Sequence, residues 1–269
     1  MAWIQRLLIG VVGLAIVFVL RETLWSFIDF PSLFITLGGT LVATCFSYPW
    51  ETLKGLGSIM RTVLTSPPQS LEMHARKLTQ LAQLNHTGGL RALESHEHEL
   101  DDPLLRRAVH LIVDMQHEEE VRAVVEHEFF LLLNRYEAAR QVLLTIGKLL
   151  PSFGMVGTLI GLVFLLRQAA NPDPQALAPA LALAVLTTLY GAVFANLLVL
   201  PLAAKLQMFM QSQEMLMGLT VEGAVLIASN QSPAIVQKRL ALLATHGELP
   251  GKEPRTALRE PPRFALLHR

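Results

Sequence analysis

Runs of hydrophobic positions divide the chain and predict where it crosses a membrane. Charge-free apolar stretches occupy residues 7–20, 31–50, 149–166 and 174–204. A helix rises about 1.5 Å per residue, and the hydrocarbon core of a bilayer is about 30 Å thick. The last three stretches are long enough to cross that core, and the first needs flanking residues such as Trp3 and Ile4. The pattern therefore predicts four membrane-spanning helices.

A signal peptide is the alternative interpretation of the first stretch. Arg21 and Glu22 follow that stretch directly, and no small-x-small cleavage site precedes Trp25. Both features favour a retained span, because a secretory signal ends at such a site and is removed. The second stretch begins with Pro31 and ends in the interfacial residues 48–50, as a membrane helix does. We expect the first two stretches to form a transmembrane hairpin.

Between the second and third stretches, apolar residues recur with the period of an α-helix. They predict helices at about residues 71–84, 104–114 and 118–143, the last of which merges with the third span. Gly88, Gly89 and an acidic patch that ends at Pro103 predict the breaks. After the fourth span we expect a helix from Lys205 to about Ser229. A proline- and charge-rich tail at residues 247–269 is predicted to be disordered.

The distribution of basic residues orients the spans. Residues 51–143 contain ten Lys and Arg and residues 205–269 contain eight, whereas the connections 21–30 and 167–173 contain one each. The positive-inside rule therefore places both termini in the cytoplasm. We predict an all-α, multi-pass inner-membrane protein with a helical cytoplasmic domain between transmembrane helices 2 and 3. Its predicted parts are a transmembrane hairpin at 1–50, the cytoplasmic helical domain at 51–143, a second transmembrane hairpin at 144–204, and a cytoplasmic helix and tail at 205–269.

Charge and residue types argue against several classes of function. The 22 basic residues equal the 22 acidic ones, so charge does not favour nucleic-acid binding. Cys45 is the single cysteine, which excludes an intrachain disulfide and a cysteine metal cage. No nucleophile, base and orienting group can be placed together, so we predict that the protein is not an enzyme. His96 and His98 lie in an exposed acidic loop, and we predict neither a metal site nor a resident cofactor.

The third and fourth stretches lack the groups that usually mark an ion path. No Asp, Glu or His occurs at 149–166 or 174–204, although intramembrane ionisable residues are typical of proton relays and transport sites. If the protein moves ions, a partner must supply the carboxylate.

Small residues recur in the same two stretches at spacings that let helices pack closely. These candidate packing residues are Gly154, Gly157, Gly161, Gly191 and Ala195. Packing inside one subunit and packing between copies are both open interpretations.

Hydroxyl groups and prolines in these stretches are the candidate ion-pathway residues: Thr158, Thr187, Thr188, Tyr190, Pro151 and Pro201. The hydroxyls have two interpretations, because they can coordinate a dehydrated cation or donate to a carbonyl of their own helix. Each proline leaves one backbone carbonyl without its helical donor, which favours a bend there.

At these residues the sequence resembles the MotA/PomA family of flagellar stator proteins, within the wider group that includes TolQ and ExbB. The matching segments follow in the family's order: Phe27–Ser32, Gly38–Thr40, Gly88–Leu90, Ala92–Glu94, Asp102–Pro103, Val113–Asp114, Pro151–Thr158, Thr187–Gly191, Ala195–Asn196, Pro201, Glu222–Gly223 and Pro233. Relatives of TolQ and ExbB usually have three spans, so the additional hairpin at 1–50 favours the stator branch.

The resemblance implies an assembly and a mechanism. The chain would form a cyclic homo-pentamer in the lipid bilayer around a single-span, peptidoglycan-binding partner similar to MotB or PomB. That partner would bring the ion-binding aspartate, and passage of Na⁺ or H⁺ would turn the ring against the flagellar rotor switch protein. In the family, sodium-driven members tend to have threonine at the place of Thr187, so we expect sodium rather than the proton. A TolQ/ExbB-like energiser and a non-conducting membrane scaffold are the alternative functions.

The candidate rotor contact departs from the family's pattern. Similar stator proteins often have a basic residue or pair just before the two glycines, where this chain has His86 and Thr87. Glu94 is retained, and Arg91, three residues earlier, can supply a displaced positive charge on the same helix face. We therefore expect His86, Arg91 and Glu94 to contact the rotor; an ordinary solvated face is the alternative.

Overall fold

The described part of the chain is helical throughout. The computed structural model describes residues 27–66, 70–100, 102–114, 118–168 and 174–246, and these residues contain no β-strand. The predicted all-α class is thereby confirmed for them. The predicted first span and the predicted tail at 247–269 lie outside the described residues, as does the signal-peptide alternative.

The second predicted span is helix α1, Phe30–Ser47, in which Phe34–Gly38 is π-helical. The helix begins where the Asp29 carboxylate accepts the Ser32 amide hydrogen at 2.8 Å. It ends before Tyr48, whose backbone is extended, and Pro49 follows. A further helix that the sequence analysis did not predict, α2, begins at once and occupies Trp50–Thr65.

Helices α3 (Leu71–Glu97), α4 (Pro103–Asp114) and α5 (Glu118–Gln168) follow. The predicted break at the glycine pair is confirmed, because Gly89 has φ 66° and ψ −169° inside α3. Only glycine adopts that backbone region readily. The predicted merger with the third span is also confirmed, since α5 runs without interruption through Pro151.

The fourth predicted span is helix α6, Pro174–Val193, which passes into a π-helical segment, Phe194–Val199. Helix α7, Leu200–Ala228, continues from it through Pro201 and confirms the helix predicted after the fourth span. Helix α8, Pro233–His246, was not predicted. Among the described residues, three helical stretches are long and apolar enough to cross a membrane: Phe30–Ser47, Glu119–Arg167 and Leu177–Ala228. These spans make the chain a membrane protein.

The chain forms two compact units, and both α5 and α7 contribute residues to each. The first unit comprises Met1–Leu64 and Tyr136–Gln207. Its described part contains α1 packed on α6. The buried face of α1 consists of hydroxyl residues rather than large apolar ones: Ser32, Thr36, Thr40 and Thr44. Small polar side chains of this kind let membrane helices approach closely and hydrogen-bond at the interface.

The second unit comprises Thr65–Arg135 and Met208–Arg269. Helix α3 packs against both α4 and α8, and the unit has an ordinary hydrophobic core. Its fully buried large side chains include Leu78, Leu93, Leu105, Ile112, Leu216, Ile227 and Leu240. Burying a side chain of this size contributes about 1.5–3 kcal/mol relative to its exposed state, so this core is the main source of the unit's stability.

Polar contacts join the helix ends of the second unit. The Asn85 side chain donates to the Ile227 carbonyl at 3.0 Å, near the C-terminus of α7. Glu222 accepts hydrogen bonds from Arg122 and Arg239, each at 3.2 Å, and so links α5, α7 and α8. Arg107 and Glu128 form a two-pronged ion pair between α4 and α5, in which Nε and Oε2 lie 2.6 Å apart.

Candidate functional site

The three glycines of the third span face the fourth span of the same chain. A methyl group added at Gly157 would lie 2.4 Å from Thr187 Cγ2, and one at Gly154 would lie 2.9 Å from the Thr187 carbonyl oxygen. At Gly161 it would lie 2.7 Å from the Ala180 carbonyl oxygen. These distances are shorter than carbon atoms tolerate, so only glycine permits the observed approach of α5 and α6.

The small residues of the fourth span continue this close packing. A methyl group at Gly191 would lie 2.6 Å from the Leu150 carbonyl oxygen, directly before Pro151. Ala195, in the π-helical segment, is also buried. Of the two interpretations left open by the sequence, the geometry of the glycines is that of packing within one subunit.

Thr187 is the most enclosed of the candidate pathway residues. Its side chain is fully buried in the chain, against Gly157. Its hydroxyl donates to the Leu183 carbonyl at 2.9 Å, with the Ala184 carbonyl 3.1 Å away. Its own carbonyl oxygen lies 3.4 Å from the Thr36 hydroxyl. Thr187 therefore lies at the meeting point of α1, α5 and α6.

The other candidate threonines are more accessible and also bond within their helices. Thr158 donates to the Met155 carbonyl at 2.6 Å, and Thr188 lies 3.4 Å from the Ala184 carbonyl. A hydroxyl that donates its one hydrogen in this way keeps lone pairs on its oxygen. Because a cation coordinates those lone pairs, back-bonding leaves the oxygens of all three threonines chemically capable of cation coordination.

Tyr190 connects α6 to the segment that precedes α1. Its hydroxyl donates to the Phe27 carbonyl and accepts the Asp29 backbone hydrogen at 3.0 Å. The Tyr190 ring also lies 6.4 Å from that of Phe194. The structure thus gives Tyr190 a role in holding the start of the second span. Pro201 follows the π-helical segment by two residues.

A hydroxyl ladder along α1 is a feature that sequence reasoning missed. Ser32 donates to the Asp29 carboxylate, and Thr36, Thr40 and Thr44 each donate to the carbonyl four residues earlier, at 2.7–3.0 Å. The four-residue spacing of these hydroxyls in an apolar stretch was a visible signal, because it places them on one helix face.

The candidate rotor residues lie in the second unit, on either side of the Gly89 break. His86 precedes the break and Arg91 and Glu94 follow it, and all three side chains are exposed. Within the part of the chain that the structure describes, none of the three forms a side-chain hydrogen bond or ion pair, so they are accessible to a partner. No group of three or more metal-binding side chains occurs among the described residues.

Comparison with known proteins decides the family. The family model of the MotA/TolQ/ExbB proton channel family matches residues 96–218. Motility protein A of Aquifex aeolicus is 31% identical over 222 residues, which cover 81% of this chain and 86% of that protein. The chain belongs to the MotA/TolQ/ExbB proton channel family. The resemblance found in the sequence is thereby confirmed.

Two further proteins match this chain over similar lengths. The uncharacterized protein YtxD of Bacillus subtilis is 31% identical over 223 residues, covering 83% of this chain and 81% of that protein. The chemotaxis protein PomA of Vibrio alginolyticus is 28% identical over 245 residues, covering 90% and 95% respectively.

Two solved MotAB structures are similar to this chain. The flagellar MotAB stator complex of Bacillus subtilis contains a chain that is 26% identical, with a TM-score of 0.72, covering 87% of this chain and 93% of that one. The MotAB structure of C. jejuni has a TM-score of 0.76 at 22% identity, covers 91% and 96%, and shares the fold.

Proposed function

We propose that this protein is the stator subunit of a bacterial flagellar motor. The observation that carries the proposal is the match to motility protein A over more than four fifths of both chains. The absence of Asp, Glu and His from residues 149–166 and 174–204 supports a channel completed by a partner. That partner is a MotB- or PomB-like single-span subunit with an intramembrane aspartate and a peptidoglycan-binding domain.

The proposed assembly is a homo-pentamer around that partner in the inner membrane, with both termini of each chain in the cytoplasm. It retains the predicted division into transmembrane hairpins at 1–50 and 144–204 and cytoplasmic parts at 51–143 and 205–269. Ion passage past the partner's aspartate turns the ring. His86, Arg91 and Glu94 then push the rotor switch protein, since their side chains are exposed. Native mass measurement of the purified complex tests the pentamer; any other stoichiometry contradicts it.

Sodium is the proposed coupling ion. A proton needs a carboxylate and a water path, whereas sodium must replace lost hydration with several oxygen ligands. The hydroxyls of Thr158, Thr187 and Thr188 are the candidate ligands beside the partner's aspartate. Because each of them keeps free lone pairs, they support this choice.

Motility of a deletion strain tests the proposed function. Cells lacking this chain should assemble flagella but not rotate them, and expression of the wild-type chain should restore swimming. The Arg91→Glu, Glu94→Lys double variant should restore it poorly, because it reverses both exposed charges. Normal swimming of the deletion strain together with a leaky envelope would instead indicate a TolQ/ExbB-like energiser.

Swimming speed against external sodium, at fixed pH and membrane potential, tests the ion. Thr187→Val keeps the shape that packs on Gly157 but removes the hydroxyl, and Thr187→Ser keeps the hydroxyl. We expect the valine variant to need more sodium than the wild type and the serine variant to resemble the wild type. A wild type that is indifferent to sodium and stopped by a protonophore would show that the proton drives the motor.

A further inference from the structure

A buried polar chain in the second unit has no part in the proposed ion path. His74 Nδ1 lies 3.2 Å from Asp102 Oδ2, and His74 Nε2 lies 2.7 Å from Thr220 Oγ1. The three side chains are 2–7% exposed or fully buried. Polar groups removed from water in this way are destabilising unless they are hydrogen-bonded.

Each polar atom in this chain of groups has a partner. The Asp102 carboxylate accepts a hydrogen bond from His74 Nδ1. The Thr220 hydroxyl lies 2.8 Å from the Leu216 carbonyl oxygen and 2.7 Å from His74 Nε2. A hydroxyl has one hydrogen and two lone pairs, so Thr220 satisfies His74 Nε2 as a donor or as an acceptor. Removal of any one of the three side chains therefore leaves a buried polar atom without its partner.

Asp102 is ionised in this arrangement. Burial raises the pKa of its carboxyl group, but the hydrogen bond and charge of His74, the Leu104 amide and the charge of Lys77 together hold that pKa below its usual value. Its Oδ1 accepts the Leu104 amide hydrogen at 3.0 Å. Asp102 thus caps α4 and pairs with His74 at the same time.

Residues 89–100 form a segment that we call the arm. The contact between His74 and Asp102 lies at its base. His74 and Gly88 are 14 positions apart on α3, about 21 Å along a helix axis. The chain after the Gly89 break must cover that distance again, in the opposite direction, for Asp102 to meet His74. The arm is therefore a return segment that carries Arg91 and Glu94 outside and the fully buried Leu93 inside.

We propose that His74, Asp102 and Thr220 are positioning residues that hold the base of the arm through their buried hydrogen bonds, and that loss of these bonds releases the arm. The proposed hold on the arm is argued from the contacts alone. A consequence for torque rests on the proposed function, which assigns Arg91 and Glu94 of the arm to rotor contact.

Other charged groups near the arm define the control. The charges of Lys77, on α3, and of Asp102, at the start of α4, act on the buried chain of groups. On the surface, His110 lies 3.7 Å from Glu97 and 3.5 Å from Asp114, and its side chain is 45% exposed. His110→Gln therefore removes an exposed histidine that contacts the arm, and it leaves the buried chain intact.

Hydrogen exchange of the full chain in lipid nanodiscs tests the hold. Asp102→Asn keeps the α4 cap but removes the charge that pairs with His74. We expect its arm to lose about tenfold or more of its protection relative to the wild type at the same pH. Thr220→Val removes the hydroxyl partner of His74 Nε2 and should also lower the protection of the arm, whereas Thr220→Ser keeps the hydroxyl and should resemble the wild type.

The control variant and motility separate the outcomes. His110→Gln should keep the wild-type protection of the arm. An Asp102→Asn arm that is protected as in the wild type, or an arm that His110→Gln releases as fully as Asp102→Asn does, would each overturn the proposed hold. If Asp102→Asn frees the arm but the cells swim at wild-type speed, the hold stands, and the assignment of the arm to rotor contact fails.

Discussion

Single residues decide how closely the third and fourth spans approach. Gly154, Gly157 and Gly161 occupy positions where any side chain would overlap α6, and Thr187 fills the space that Gly157 leaves. The sequence identified these residues by type and spacing. It could not show that the glycines and Thr187 face one another, because that depends on the rotation of both helices about their axes.

Replacing Gly157 should destabilise the protein through its own helical hairpin. Gly157→Ala places a methyl group 2.4 Å from Thr187 Cγ2, and overpacking of this kind costs about 1–3 kcal/mol. Gly157→Leu should cost more and should also reduce the amount of the proposed ring. The measurement is thermal unfolding in detergent. Gly57→Ala is the control, since nothing lies within 4 Å of Gly57; equal unfolding temperatures for the two alanine variants would contradict the packing.

Acid should weaken the second unit through Asp102. Because the folded-state pKa of Asp102 is depressed below its ordinary value of 3.8, its stabilisation is present above that value. It is lost as pH falls through the folded pKa. The unfolding temperature should therefore fall less steeply for Asp102→Asn than for the wild type between about pH 6 and about pH 3. Asp114→Asn removes an exposed carboxylate on the same helix and should keep the wild-type slope.

Regular α-helix is interrupted at several places in the described part of the chain. The Gly89 break turns the chain back toward the start of α3, and the π-helical segments lie in α1 and before α7. A glycine pair signals a break in the sequence, because glycine disfavours helix interiors. The π-helical segments have no comparable signal, since their residues are ordinary apolar ones.

Gly89→Ala should displace the arm. The observed φ of 66° and ψ of −169° suit glycine alone, so an alanine there costs about 1–3 kcal/mol. We expect faster hydrogen exchange in residues 90–97 and slower swimming. Gly55→Ala is the matched control, because Gly55 lies within helix α2 and has open space around it. Wild-type exchange in Gly89→Ala would show that the backbone tolerates another conformation.

At the scale of the whole molecule, charged groups are unevenly distributed. Buried hydroxyls of α1 and α6 hold the first unit together, and residues 149–166 and 174–204 contain no Asp, Glu or His. The buried and linked ion pairs lie in the second unit. This distribution agrees with the proposed channel, which a partner completes.

The chain alone should be ion-tight. Proteoliposomes that contain this protein without its partner should show no cation flux above empty liposomes, because residues 149–166 and 174–204 offer no carboxylate. Addition of the single-span partner should create the flux, and replacement of the partner's intramembrane aspartate by asparagine should abolish it. Robust flux from the lone chain would overturn the proposed division of roles.

The sequence by itself determined the described spans and the helix breaks. Membrane insertion depends on the summed hydrophobicity of about 20 consecutive residues, and glycine and proline act on the backbone at their own positions. These are local properties, and therefore α1, α5, α6 and the Gly89 break were predictable. Helices α2 and α8 were not predicted. Neither contains a long apolar run, which was the strongest signal in the sequence.

Only the tertiary structure decided which side chains meet. His74, Asp102 and Thr220 are separated by 28 and 118 positions in the chain, and no local pattern records that they share one buried site. The spacing of Thr36, Thr40 and Thr44 shows that they share one face of a helix. It does not show that this face contacts α6. The physical reason is that such pairings follow from the mutual orientation of helices, which packing of the entire unit determines.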